Sequence, residues 1–209
     1  AWKGQDFDTL ARLYMPLQEA RRQRRQRCGE GIVCLDLLAE SEMDMLDGQH
    51  VVENYPSGQL LVGGWGSIEP AERVRQLQDE LGLYLETFLA AAYPTTDAGR
   101  VAVILPLPDL PLPKPAPMAL NQLKAQLPPN CMVYRDGDLP QGPQKGSWQT
   151  YGLVMSIWEA LHQPFLQAAD AQTDPLRKIE AYRTAIEVDY ACELAHQKLS
   201  DVAHSLTHR

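Results

Sequence analysis

Ile32-Val-Cys-Leu-Asp-Leu-Leu38 is the stretch on which the fold class turns. Glycines stand just before it at positions 29 and 31, an acidic run follows it, and all but Asp36 are apolar. A run this short, bounded by turn formers, reads as a buried strand. The residues before it keep a different period. Phe7, Leu10, Leu13, Tyr14 and Leu17 recur at three- and four-residue spacing, which predicts a helix over residues 6–27 with those side chains on one buried face. Asp6 or Asp8 caps its start, and Gly29 stops it after an arginine-rich last turn that complements the helix dipole. A helix feeding a buried strand makes this a mixed α/β chain.

Downstream of the strand, His50–Tyr55 and Gln59–Gly63 flank the turn-forming Pro56-Ser57-Gly58 and read as a β-hairpin. From Pro70 a stripe of Val74, Leu77, Leu81, Leu85, Phe88 and Leu89 predicts one long helix as far as Tyr93, closed by Pro94. Val101–Leu105 is a compact strand central in the sheet. Pro106, Pro108, Pro111, Pro113, Pro115 and Pro117 then make an extended, polyproline-like connector. A short helix is expected over Met118–Leu127, and a strand over Cys131–Tyr134 that ends at an Asp136-Gly137 turn. Residues 138–150 are rich in proline, glycine and glutamine and form the domain boundary. Residues 1–146 are therefore expected to hold a small β-sheet with flanking helices, and residues 147–209 a helical extension.

Bulk properties narrow the class of function. The 209 residues, 44% apolar and 22% charged, are ordinary globular composition and suffice for a core without metal or disulfide staples. A net charge of −8 and a pI near 5.1 argue against a general nucleic-acid or membrane-surface binder. No apolar run is long enough to span a bilayer, so no membrane role and a cytoplasmic location are expected. The cysteines, Cys28, Cys34, Cys131 and Cys192, form no CxxC pair. Reduced, mostly buried thiols are the expectation, with no metal and no cofactor; a Cys28–Cys34 disulfide stays open for an oxidising compartment.

The C-terminal region repeats. At an offset of 34 residues, Glu159, His162, Gln163 and Ala169 fall on Glu193, His196, Gln197 and Ala203, while Leu161 and Phe165 fall on Ala195 and Leu199. Small residues such as Ala181, Ala185 and Ala195 let helices approach, and Tyr182 and Leu199 fill the gaps between them. The segment Glu180-Ala-Tyr-Arg-Thr-Ala-Ile-Glu-Val-Asp189 resembles the second helix of a tetratricopeptide repeat, and Tyr190–Ser200 the first helix of a following unit. The resemblance covers about fifty residues of the chain. Tyr190 stands where that family usually has a closing proline, and Pro164 is expected to kink the first helix. Such a likeness implies helical hairpins built for binding, with a surface that must dock on a neighbour.

Several constellations are candidates for chemistry. Arg21, Arg22, Arg24, Arg25 and Arg27 form a basic cluster that is either a solvated helix end or a contact for an acidic partner; nucleic acid is disfavoured by the acidity of the chain. Gly63-Gly64-Trp65-Gly66-Ser67 lies between a strand and a helix start, where freed amides can hold a small anion, although neither a GxGxxG nor a Walker pattern is present. Four carboxylates between Glu40 and Asp47 lack the EF-hand order and read as a solvated loop. Asp109, set among prolines, reads as a surface residue. His204 and His208 lie one turn apart at the terminus, and no HExxH motif occurs.

These signals favour a protein–protein interaction or scaffolding module, with another protein, acidic in character, as its partner. The residues assigned to partner contact are Arg21, Arg24, Arg25, His162 and His196, and those assigned to a weak anion site are Gly63, Gly64, Gly66 and Ser67. The rival expectation is a small-molecule enzyme of transferase or hydrolase type near the glycine turn at 63–66, using acids such as Asp109 and Asp136. No catalytic residue is identified.

Overall fold

The helix α1 (Phe7–Gly29) and the strand β1 (Ile32–Leu38) form as their spacing predicts, in a computed structural model that describes residues 6–135 and 137–207. The chain divides into two compact units, one of residues 27–154 and one that joins the residues up to Gln26 to those from Met155 onward. The division drawn at residue 146 from composition places α1 with the sheet, whereas most of α1 clusters with the C-terminal helices.

In the unit of residues 27–154, β1 leads to α2 (Gly48–Asn54), β2 (Ser57–Trp65), α3 (Glu69–Glu80), β3 (Tyr84–Thr95) and β4 (Gly99–Leu105). There follow α4 (Leu120–Gln126), β5 (Met132–Arg135) and β6 (Gln144–Lys145). The strands make one sheet in the order β5-β4-β3-β2-β1-β6. β1, β2 and β3 run parallel, while β4, β5 and β6 join antiparallel. Parallel neighbours need a crossover between them, and α2 and α3 are those crossovers. Val51 and Val52 of α2, Val74 and Leu77 of α3, and Leu123 of α4 pack on Leu60, Val62, Leu89, Ala91 and Val103. The strand residues alternate, so the three helices share one face of the sheet. Each valine or leucine buried there contributes about 1.5–3 kcal/mol.

Two expectations are corrected by this topology. Residues 50–63 are not a hairpin: His50 to Asn54 belong to α2, and β2 pairs in parallel with β1. Asp47 starts the helix by accepting a hydrogen bond from the Gln49 amide at 3.0 Å, so Val51 and Val52 reach the core from a helix. Gly58 pairs with Ile32 where β2 begins against β1: at φ 140°, a Cβ there would run into the Ile32 carbonyl oxygen. The second correction concerns residues 70–93. α3 stops at Glu80, Gly82 turns the chain at φ 63°, and Leu85, Phe88 and Leu89 lie in β3. From Leu85 to Tyr93 every residue of β3 is buried, as in an interior strand covered on both faces. The alanines and leucines there favour a helix locally; pairing with β2 on one side and β4 on the other outweighs that preference.

The other unit is helical. Beside α1 it contains α5 (Trp148–Asp170) from Met155 on, α6 (Pro175–Val188) and α7 (Glu193–Thr207). Pro164 lies inside α5. Asp174 caps α6 through the Arg177 amide at 2.8 Å, and Pro175 occupies the first turn, where its missing N–H leaves nothing unpaired. The core of this unit gathers Leu10 of α1, Leu166 and Ala169 of α5, Ile179, Tyr182 and Ala185 of α6, and Ala195, Leu199 and Ala203 of α7. The buried face of α1 differs from the expected one. Leu10 is buried, but Leu13 is 55% and Leu17 38% exposed, and the inward stripe continues through Gln18 and Arg25. Among the described residues no helix is long and apolar enough to cross a membrane.

Candidate functional site

The helical unit carries the densest polar constellation, and it is built around Asp189. α6 ends at this residue, and the following turn brings Cys192 to the start of α7 through a 3.0 Å hydrogen bond from the Cys192 amide to the Asp189 carbonyl. Asp189 is 1% exposed, so its carboxylate has to be satisfied internally. Oδ1 accepts from the Ala191 amide at 3.1 Å and lies 2.7 Å from Nη1 of Arg25, which is 3% exposed. Oδ2 lies 2.7 Å from Nδ1 of His162 on α5. The Arg25 guanidinium also sits over the rings of Trp158 at 4.7 Å and Tyr190 at 5.1 Å. Aromatic faces flank the cation where water would otherwise solvate it.

Charge follows from this geometry. Burial pushes the Asp189 carboxyl up, but Arg25 and then His162 outweigh it and hold the group below the usual carboxylate range. Burial likewise pushes His162 down, yet its hydrogen bonds with Asp189 and with the Cys192 thiol raise it to about 9. His196 goes the other way, pushed down by burial. Its Nε2 lies 3.1 Å from Nη1 of Arg21, and arginine can only donate, so Nε2 accepts. Nδ1 of His196 therefore carries the hydrogen and donates to the Cys192 carbonyl at 2.7 Å. The histidines matched by the 34-residue offset thus both clamp the α6–α7 turn, one through a side chain and one through the backbone.

Of the residues assigned to partner contact, the structure brings Arg21, Arg25, His162 and His196 into this one cluster. Arg25 and His196 are buried, and His162 is nearly so. Arg21 is half-buried and also donates to the Tyr190 carbonyl at 3.3 Å, while the Arg24 guanidinium lies 6.0 Å from the Tyr190 ring. Of the other basic residues, Arg22 pairs with Glu19 on the surface, and Arg27 donates to the Tyr84 hydroxyl at 2.6 Å. Asp189 and Cys192 were missed in the sequence. The signal was available: they stand three residues apart after a predicted helix end, but a search restricted to cysteine pairs does not see it.

Beside the cluster, α1 and α6 border an open groove of about 500 Å³. Tyr14, Leu17 and Arg21 line it from α1, Arg183 and Ile186 from α6, and Tyr190 from the turn after α6. Arg183 pairs with Glu180 at 3.0 Å, so the rim carries both signs of charge.

The glycine turn has a different use from anion binding. The Gly64 amide donates to the Ser67 carbonyl at 2.8 Å and the Gly66 amide to the Ala92 carbonyl at 2.9 Å. The Ser67 amide donates back to Gly64, and its hydroxyl accepts from the Glu69 amide at 3.1 Å to start α3. Glycine is needed at 63 because a Cβ would stand 2.9 Å from the Ala90 backbone, and at 66 because φ is 62° with Pro115 2.5 Å away. Of the acids in the enzyme reading, Asp109 is exposed and Asp136 lies outside the described residues. In the acidic run, Asp44 accepts from the Glu40 amide and Asp47 caps α2. All the cysteines are free thiols, and of the terminal histidine pair His208 lies outside the described residues.

Comparison with protein-family models, with curated proteins and with solved structures returns no match.

Proposed function

We propose that the helical unit is a tetratricopeptide-like protein-binding module, and that the groove between α1 and α6 receives the partner. The observation that carries this reading is the groove itself: about 500 Å³, open to solvent, and lined by Tyr14, Leu17 and Tyr190 among the charged Arg21, Glu180, Arg183 and Glu187. Leu13 and Leu17, one helical turn apart and 55% and 38% exposed, continue apolar surface along α1. An amphipathic helix of another protein fits such a mixed surface, its apolar residues against Tyr14 and Leu17 and its acids near Arg21 and Arg183. Burial at the 34-residue offset agrees at four of the six matched pairs, which supports the repeat likeness: Leu161 with Ala195 and Ala169 with Ala203 are buried, Glu159 with Glu193 and Gln163 with Gln197 exposed, while His162 and Phe165 are only partly buried where His196 and Leu199 are buried. Free thiols at every cysteine support a reducing, cytoplasmic setting for an adaptor of this kind.

The test places a photo-crosslinking amino acid at Leu17 or Thr184, in the groove, and at Met43, an exposed loop residue of the other unit. In lysate, the groove positions are expected to capture the same discrete protein, and Leu17→Arg to abolish its capture from Thr184. Equal capture at Met43, or none from the groove, removes the reading.

A further inference from the structure

We propose that His162, Asp189 and Cys192 form a binding site for a divalent ion of the zinc class. One imidazole, one carboxylate and one thiol present ligand atoms that all lie within 4.8 Å of one another, and all three residues are withdrawn from solvent. Zinc bonds to these donors are about 2.0–2.3 Å long, which sets tetrahedral donor–donor distances of roughly 3.2–3.8 Å. Seating the ion therefore needs the His162–Asp189 pair to open from 2.7 Å while the wider distances draw in, side-chain movements of roughly 1 Å on that comparison.

The chain prepares the site in three ways. Asp189 and Cys192 are three residues apart on one turn, the spacing at which a single turn offers two ligands to one ion. That turn is clamped from within by the Cys192 amide on the Asp189 carbonyl and by His196 Nδ1 on the Cys192 carbonyl. The Asp189 oxygens are also divided between two tasks: Oδ1 faces Arg25 and the Ala191 amide, and Oδ2 faces His162. The ion takes the place of the proton between His162 Nδ1 and Asp189 Oδ2, and Cys192 Sγ completes a three-donor set. Arg25 keeps Oδ1, so the carboxylate binds through one oxygen. The cysteine thiolate supplies the further negative charge that a divalent ion needs beside a guanidinium. Soft sulfur with imidazole selects zinc over magnesium or calcium, which prefer all-oxygen sites. A three-donor set leaves a position for water or a partner's donor.

The experiment uses the tag-free full chain, stripped with a chelator and titrated with Co²⁺, then with Zn²⁺. Stoichiometric growth of a near-ultraviolet thiolate-to-cobalt band, displaced by Zn²⁺, is expected for the wild type. Cys192→Ser is expected to lose the band and Cys34→Ser, in the other unit, to keep it. Zn²⁺ is also expected to slow the alkylation of Cys192 that proceeds through local opening of the wild type, followed over hours and read by peptide mass, and to leave the rate at Cys131 unchanged. This second measurement decides the matter even where a variant fails to fold. Absence of a cobalt–thiolate band in the wild type, a band that survives Cys192→Ser, or alkylation of Cys192 unaffected by Zn²⁺ would each overturn the proposal.

Discussion

Replacing Arg25 by methionine should destabilise the helical unit by about 3–5 kcal/mol, the usual loss when one member of a buried ion pair is removed. The magnitude rests on burial. Arg25 and Asp189 are 3% and 1% exposed and 2.7 Å apart, so the carboxylate left behind has no water to replace the guanidinium. Methionine keeps most of the contact with Trp158 and Tyr190, which separates the charge effect from a packing defect. His162 and the Ala191 amide still hold the carboxylate in the variant, which places the loss nearer the lower figure. The control is Arg22→Ala: its pair with Glu19 is 48% and 50% exposed, and such pairs are worth about 0–1 kcal/mol. Urea unfolding followed by far-ultraviolet circular dichroism, in chelator-treated buffer, gives both values if the m-values stay equal. Adding Asp189→Leu to Arg25→Met should then recover stability, because the carboxylate is gone and burial pushes His162, no longer held by Asp189, towards its neutral form. An Arg25→Met loss no larger than that of Arg22→Ala would refute the reasoning, since the pair would then be solvated in solution.

Tyr182→Ala and Leu199→Ala, each removing a buried side chain from between α6 and α7, should cost about 2–5 kcal/mol in the same unfolding assay, and losses under about 0.5 kcal/mol would show both to be exposed. Gly66→Ala should cost about 1–3 kcal/mol because φ is 62° and Pro115 blocks the Cβ, whereas Gly152→Ala, in open space within α5, should cost nothing; equal effects would contradict the turn geometry. The hydrogen bonds of Lys198 and Tyr182 hold the Asp170 carboxyl below its ordinary value, so its contribution is present above the unfolded carboxylate range and lost as pH falls through the folded value. Asp170→Asn should therefore lower stability at neutral and higher pH and flatten the acid limb of the profile, so that the two proteins converge at low pH; an acid limb as steep as wild type would refute that assignment.

Several elements were legible in the sequence because their signals are local. The short apolar runs at 32–38 and 101–105 lie between breakers, and both are strands. The proline series between 106 and 117 admits neither helix nor sheet, and those residues, bent and turned at 106–109, form a connector outside both. The spacing of Phe7, Leu10 and Tyr14 set the helical period of α1, although Leu13 and Leu17 of the same stripe lie exposed. Where a pattern has two local solutions, the tertiary structure decided. Leu85, Phe88 and Leu89 suit a helix by spacing and a buried strand by composition, and β2 and β4 on either side of β3 make it a strand. His50 to Tyr55 are β-branched enough for a strand, but a parallel β1–β2 pair requires a helix between them. The polar cluster was hidden for a related reason. An arginine run looks the same in sequence whether it is solvated or buried, and only a carboxylate brought in from 164 residues along the chain tells Arg25 from Arg22. Short-range periodicity set which residues form helices, while the need to neutralise a buried charge, visible only once α1 meets the end of α6, selected which of the arginines turns inward.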